Sequence, residues 1–310
     1  MTFTWTANTE QRPGVGLGVF FSYGFRPFFL GAAIYAALSM AARLAMIGPQ
    51  PPAASAGWLP LILSTPVVAA DTSVREITEM LVKAAPGSAV VLAGKDLSFL
   101  DLSGLDFKAA RLAGANFYGA DLTGANLRNA DLSSAVLDRA IIVGADFTGA
   151  NLSRAIMRLP HGSTSAAFNR VEAPRFTGAN LAHARLVVRL DGADLRGANM
   201  TGARLHPHGD TTQNTTARRS SLIACDLSAA ILVDADLSRA ELEFANFSNA
   251  DLTGASLRGA NLSRATFRGA KLVGADVTDA NFDGTNLVGV HGLDSVVGLD
   301  VARNLDRAIR

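Results

Sequence analysis

Between Leu97 and Leu287 a large apolar residue, Leu or Phe, returns every five positions, with an Asp or Asn just before it and an Ala two before it. The clearest run is Ala115-Asn116-Phe117, Ala120-Asp121-Leu122, Ala125-Asn126-Leu127 and Ala130-Asp131-Leu132, and it returns from Ala235-Asp236-Leu237 to Ala260-Asn261-Leu262. An amphipathic helix needs apolar residues about 3.6 apart and a half-buried strand needs them 2 apart, so a period of five fits neither. The chain must turn a corner once per repeat. One small and one large inward residue per repeat, separated by polar positions, describe a wall of a narrow coil. Successive coils then pair as parallel strands at ~4.8 Å, and none of them buries its faces without a neighbour.

These residues resemble the pentapeptide-repeat family over roughly residues 95–290. The resemblance implies an all-β solenoid, a right-handed, four-sided parallel β-helix with four repeats per turn. Central residues run from Leu97 to Met157 in one frame, Phe176 to Leu186 in a second, Leu190 to Leu205 in a third and Leu222 to Leu287 in a fourth. That predicts about eight coils and a rod ~40 Å long. Four repeats per turn would stack Arg111 beside Asp131 and Asp251 beside Lys271, and would alternate Asp106, Asn126 and Asp146. Asp101 and Asp121 are then an unfavourable like-charge pair. Glycines such as Gly124 and Gly259 suit the corners because they tolerate positive φ.

Two segments cannot be read in fives, and they are predicted to be loops projecting from the rod at 158–173 and 206–220. From Leu186 to Leu190 the spacing is one residue short, which reads as a local bulge or kink. Ahead of the repeats, segment 71–94 reads as a cap helix and first strand. Ser73 and Glu76 have capping-box spacing, and Ile77, Met80, Leu81 and Ala84 form an apolar stripe. After residue 290 the spacing stretches to six, so segment 291–310 reads as a cap, with Val301, Leu305 and Ile309 on a short helix over the last turn.

The amino-terminal part is of another kind. In residues 1–48 an apolar stretch over 20–47, broken only by Arg26 and Arg43, is long enough for a transmembrane helix of about 20 residues. The string Ser22-Tyr23-Gly24-Phe25-Arg26-Pro27-Phe28-Phe29-Leu30 resembles the opening of the NnrS family of multi-span membrane proteins associated with haem and copper. That resemblance covers about residues 14–60. The metal chemistry of such proteins depends on histidines further along, and residues 61–160 contain none. Residues 49–70 read as a linker and a signal-like apolar run ending in Val68-Ala69-Ala70 before Asp71. Arg12 and Arg26 lie ahead of the uninterrupted run that begins at Pro27, and no Lys or Arg lies between Arg43 and Arg75. The positive-inside bias therefore predicts a repeat domain in a bacterial periplasm, membrane-anchored or secreted after cleavage before Asp71.

Charge bears on partners. The chain has 28 Lys plus Arg and 27 Asp plus Glu. Gyrase-protecting members of the resembled family act as acidic, DNA-like rods in the cytoplasm. Residues 95–310 hold 23 basic and 23 acidic groups, which makes this rod a poor mimic and nucleic acid an unfavoured partner. The distribution is uneven. Residues 154–219 hold ten basic and four acidic groups, whereas 222–287 hold five and nine. The basic block contains both loops and would suit an acidic protein partner or an anionic lipid.

No catalytic, cofactor or metal site is expected. His161, His206 and His208 lie in the loops with Asp210 near, but their spacing is not a ligand pattern. The single cysteine, Cys225, excludes an intrachain disulfide. The repeated Asp residues are structural by position, since their side chains can bond backbone at the corners. The expected function is a non-catalytic scaffold for protein interaction. A cytoplasmic gyrase-protecting mimic and an accessory or remnant of an NnrS-like protein are the alternatives.

Overall fold

The computed structural model describes residues 72–85, 87–160, 172–206 and 219–310. All belong to the compact unit Val68–Arg310. The apolar stretch 20–47, the linker and signal-like run 49–70 and the NnrS-like string lie outside the described residues. Among the described residues no helix is long and apolar enough to cross a membrane.

The repeat closes because every backbone donor in it finds an acceptor. In Asn126–Ala130, Asn126 N–H donates back to Leu105 O (2.9 Å), while Leu127 and Asn129 donate forward to Asp146 O (2.8 Å) and Thr148 O (3.0 Å). Ala130 N–H closes the corner onto Leu127 O at 3.1 Å. The remaining donor, Arg128 N–H, goes to the Asn126 side chain at 3.2 Å. This last bond explains the Asp or Asn of each repeat. It recurs at Asp106, Asp131, Asn151 and Asp226, each taking the N–H two residues on. The third corner residue has positive φ, as at Asn129 (56°) and Gly124 (64°), so the turn is of the type II class.

Inside, the Leu and Phe positions and the Ala positions are sealed from solvent; Leu127, Ala130, Leu257 and Ala260 are all 0% exposed. Two phenylalanine pairs stack along the axis, Phe147 on Phe176 and Phe247 on Phe267, with centroids 4.8 and 4.7 Å apart. Where a polar side chain takes a small inward position it is bonded. Thr285 Oγ1 donates to Leu262 O at 2.8 Å, and Ser220 Oγ to Leu205 O at 2.6 Å.

The expected stacking holds: Arg111 opposes Asp131, Asp251 opposes Lys271, and Asp101 opposes Asp121. Four faces run the length of the rod. The first is Val91–Arg111–Asp131–Asn151–Asn180–Asn199–Ile231–Asp251–Lys271–His291. Those ten rungs correct the expectation of about eight coils. The last coil escaped the count because its spacing departs from five, and the first lost one side because the count began at Leu97 rather than Leu92. In the first, Leu100 and Leu105 occupy small-residue positions. They fit because no coil lies beneath them; instead α1 (Val74–Lys83) covers that end, with Ile77 buried and Met80 against the core. The capping box at Ser73 and Glu76 forms.

The short helix expected over the last turn does not form. Segment 291–310 is a further coil with six-residue sides. Val297, Arg303 and Ile309 pair with Asp276, Asn281 and Asn286, and three 3-10 turns, Leu293–Ser295, Leu299–Val301 and Leu305–Arg307, absorb the extra residue. Leu305 packs inward, whereas Val301 and Ile309 are about half exposed.

Candidate interaction surface

All three breaks in the period fall on one edge of the rod. The second face carries Ile156, Arg185 and Arg204 in the fourth, fifth and sixth coils, and the third face carries Arg189 and Ser221 in the fifth and sixth. The insertion after residue 158, the short spacing at 186–190 and the insertion after residue 205 each lie between those faces. The rung offset rises from 20 to 29 across the first insertion, falls to 19 across the short corner and rises to 32 across the second, yet the first, second and fourth faces stay continuous. Whole residues are thus added or removed at a corner without moving the sides.

The insertion stems are tied into the wall, so the predicted loop boundaries need correction. Arg158 belongs to β1 (Ile156–Arg158), which pairs in parallel with β2 (Arg185–Val187). Its backbone N–H (2.8 Å) and Nε (2.9 Å) donate to buried Asp138, and Nη2 completes the ion pair. Asp138 raises the Arg158 pKa above the usual guanidinium value, chiefly by hydrogen bonding. Pro160 and Ala173 are buried. At the second insertion Ser220 is 1% exposed. Its hydroxyl also contacts Leu186 O (3.2 Å) and receives Val188 N–H (3.3 Å). Asp191 accepts from the Ser221 hydroxyl and from Ile223 N–H. Residues 161–171 and 207–218, including His161, His208 and Asp210, lie outside the described residues. His206 is half-buried at the stem. Among the described residues no group of three or more His, Cys, Asp or Glu could hold a metal ion.

Stacking gathers the basic block of the sequence around this edge. Arg185 and Arg204 are neighbours on adjacent rungs of the second face. Arg154 lies at one border, with His183 one coil on, and Arg158, Arg189 and Arg219 at the other. Arg158 is paired with Asp138, Arg219 with Glu241 at 2.9 Å, and Arg189 approaches Asp191 at 3.8 Å. Arg154, Arg185 and Arg204 are exposed and have no ion pair among the described residues. Sequence reading located the block but not this triad. The signal was there: counting 29 and 19 residues across the first two breaks brings 156, 185 and 204 into line.

Toward the amino terminus the same edge carries an exposed aromatic stack. Phe99 meets Tyr118 edge-on at 5.3 Å, and the Arg139 guanidinium lies 5.9 Å from the Tyr118 centroid. Phe99 also covers Gly119, where an added Cβ would fall 2.9 Å from its ring. Buried Cys225 donates to Leu190 O at 2.9 Å, and burial raises its pKa.

The pentapeptide-repeat family model matches eight copies over residues 92–129, 120–158, 175–206, 220–259 and 260–291, more than half of the chain. The protein belongs to the pentapeptide-repeat family, whose members fold as right-handed β-helix solenoids. Among solved structures, HetL, a pentapeptide-repeat protein involved in heterocyst differentiation regulation from the cyanobacterium Nostoc sp. strain PCC 7120, is 27% identical over 77% of this chain and 94% of its own, with a TM-score of 0.42. A trypsin-treated form of QnrB1, a plasmid-mediated fluoroquinolone resistance protein, is 20% identical over 71% and 93%, with a TM-score of 0.32. Rfr23 of the cyanobacterium Cyanothece 51142 is 29% identical over 44% and 90%, with a TM-score of 0.24. Comparison with curated proteins finds no match.

Proposed function

We propose that this protein is a non-catalytic scaffold that binds a protein partner along the edge between its second and third faces. One observation carries the reading: three departures from an otherwise strict period are confined to one corner of three successive coils. A rigid scaffold generally carries recognition on its loops, and here both insertions share an edge with the basic residues. An acidic partner suits that charge. The reading as a gyrase-protecting mimic has less support, because a DNA-like rod needs an acidic surface and this one is balanced. The NnrS-like accessory reading has no histidine-bearing metal cluster among the described residues to rest on.

A photo-cross-linking residue at position 206, in the native host, is expected to give a discrete adduct, and the same probe at Ser248 on the opposite edge none. Equal labelling at both positions, or none at 206, would remove the scaffold reading. The asymmetric arginines and the Val68-Ala69-Ala70 boundary support a repeat domain outside the cytoplasm, anchored through residues 20–47 or released before Asp71. A carboxy-terminal alkaline phosphatase fusion should then be active in an expressing bacterium; an inactive fusion rejects export.

A further inference from the structure

We propose that the second face at the fourth to sixth coils is a docking site for a short carboxylate-rich segment of a partner protein, gripped by Arg154, Arg185 and Arg204. The inference rests on the scaffold reading and adds to it the gripping residues and the chemistry of what they hold.

Arg185 and Arg204 oppose each other directly, their backbones ~4.8 Å apart. Like charges so placed destabilise a sheet, and much of the rod avoids the arrangement. Arg111 faces Asp131, Lys271 faces and pairs with Asp251 at 3.2 Å, and Arg175 pairs with Asp146 at 3.0 Å. Amides separate other charges, as where Asn116 donates to Asp96 and Asn126 to Asp106. Arg185, between Ile156 and Arg204, has neither device, whereas Arg204 faces Asp236 on its other side as Arg111 faces Asp131. Asp236, one rung beyond Arg204, accepts Ser238 N–H at 3.0 Å and forms no ion pair among the described residues. Arg154, on the coil before Arg185 at the face's border, adds a third unpaired guanidinium. Such a cluster is relieved by a bound anion, and the guanidinium fork matches a carboxylate through two parallel hydrogen bonds.

The surroundings choose among anions. The unpaired guanidinium groups extend over three coils, ~10 Å along the axis. Carboxylates bound the zone on the carboxy-terminal side, Asp236 and Glu241 on the next coil and Asp276 beyond. On the amino-terminal side lie half-buried Val136 and Ile156, then Asn116 and Asp96. A duplex or a lipid surface would set phosphates against Asp236 and Glu241 within a Debye length of about 8–10 Å. A short acidic segment can stop inside the zone and lay an apolar neighbour over Val136 and Ile156.

The test measures fluorescence anisotropy of the full chain with labelled hexaglutamate, alongside a single-stranded thymidine oligonucleotide and phosphatidylserine vesicles. Hexaglutamate should bind in a salt-dependent way and more tightly than the other probes. R185Q/R204Q should weaken it about tenfold, while R268Q, an exposed arginine on another corner, should leave it within about twofold. The melting temperature of R185Q/R204Q should hold or rise, since a like-charge pair is removed. Absence of hexaglutamate binding, undiminished binding by R185Q/R204Q, or tighter binding of the oligonucleotide or vesicles would each overturn the proposal. A position-206 adduct that persists in R185Q/R204Q would remove this anchor and leave the scaffold; hexaglutamate binding without any adduct would do the reverse.

Discussion

The stack of Phe147 on Phe176 joins the third coil to the fourth across the first insertion, so it tests the register where the sequence breaks frame. Both rings are sealed, 0% and 1% exposed, with centroids 4.8 Å apart and planes within 3°. Phe247 and Phe267 form the same contact at 4.7 Å with no insertion between them. Replacing one ring by Leu keeps most of the volume and should cost about 1.5 kcal/mol. The ring-ring contact itself contributes about 1 kcal/mol beyond burial, and it is lost once, whichever partner is changed. F147L/F176L should therefore lose about 2 kcal/mol, against about 3 for the sum of the singles. F247L/F267L should behave alike. Equilibrium urea unfolding at constant slope measures all six variants. Strict additivity at 147 and 176, beside clear coupling at 247 and 267, would show that the fourth coil is out of register and would dissolve the alignment of Ile156, Arg185 and Arg204.

Asp121→Asn should stabilise the protein by up to ~1 kcal/mol, and by more than Asp101→Asn. Either change relieves the facing pair, but bonds between these side chains run from the amide of the later coil to the carboxylate of the earlier, as in Asn126 to Asp106 at 2.8 Å; equal melting temperatures would refute that polarity. Leu257→Ala, at 0% exposure, should cost about 2–5 kcal/mol, and a loss under 1 kcal/mol in urea unfolding would contradict its burial. Burial would raise the pKa of Asp146, but bonds from the Thr148 hydroxyl and backbone, Arg128 and Arg175 bring it down to about 2. A depressed carboxyl contributes stability above the ordinary aspartate range and loses it as pH falls from about 4 towards 2, here about 2 kcal/mol. Asp146→Asn should thus melt well below the parent at pH 7, with the gap closing near pH 2; a gap independent of pH would deny the carboxylate this role.

The five-residue alternation was enough to expect parallel pairing between coils, because a large and a small inward residue in each repeat leave the chain few ways to close. The i to i+20 register could likewise be set from Arg111 and Asp131 without coordinates. The last coil was misread for a physical reason: six-residue sides with Gly292, Gly298 and Asn304 at positive φ preserve the stacking while breaking the period by which the coil was recognised. The Arg185–Arg204 juxtaposition was hidden differently. It depends on how many residues each corner consumes, and nothing local to either arginine reveals that count. The tie between Asp138 and Arg158 was illegible too, since Asp138 stands at a corner position that elsewhere takes residues as varied as Ser133, Thr123, Lys108, Arg128 and Glu243, with nothing to mark it as buried.

Each rung in this rod finds its partner one coil earlier in the chain, never far ahead. As the polypeptide leaves the ribosome, the surface on which a new coil must settle has already been synthesised, beginning with the capped end over Ile77. Assembly can therefore advance as a zipper in the direction of translation, closing loops of about 20 to 32 residues, and the entropic cost of closure grows only logarithmically with loop length. The insertions barely slow such a zipper. A nascent chain halted midway would hold a finished stub with one growing end, and the polar tract that follows could emerge without leaving sealed apolar residues in water.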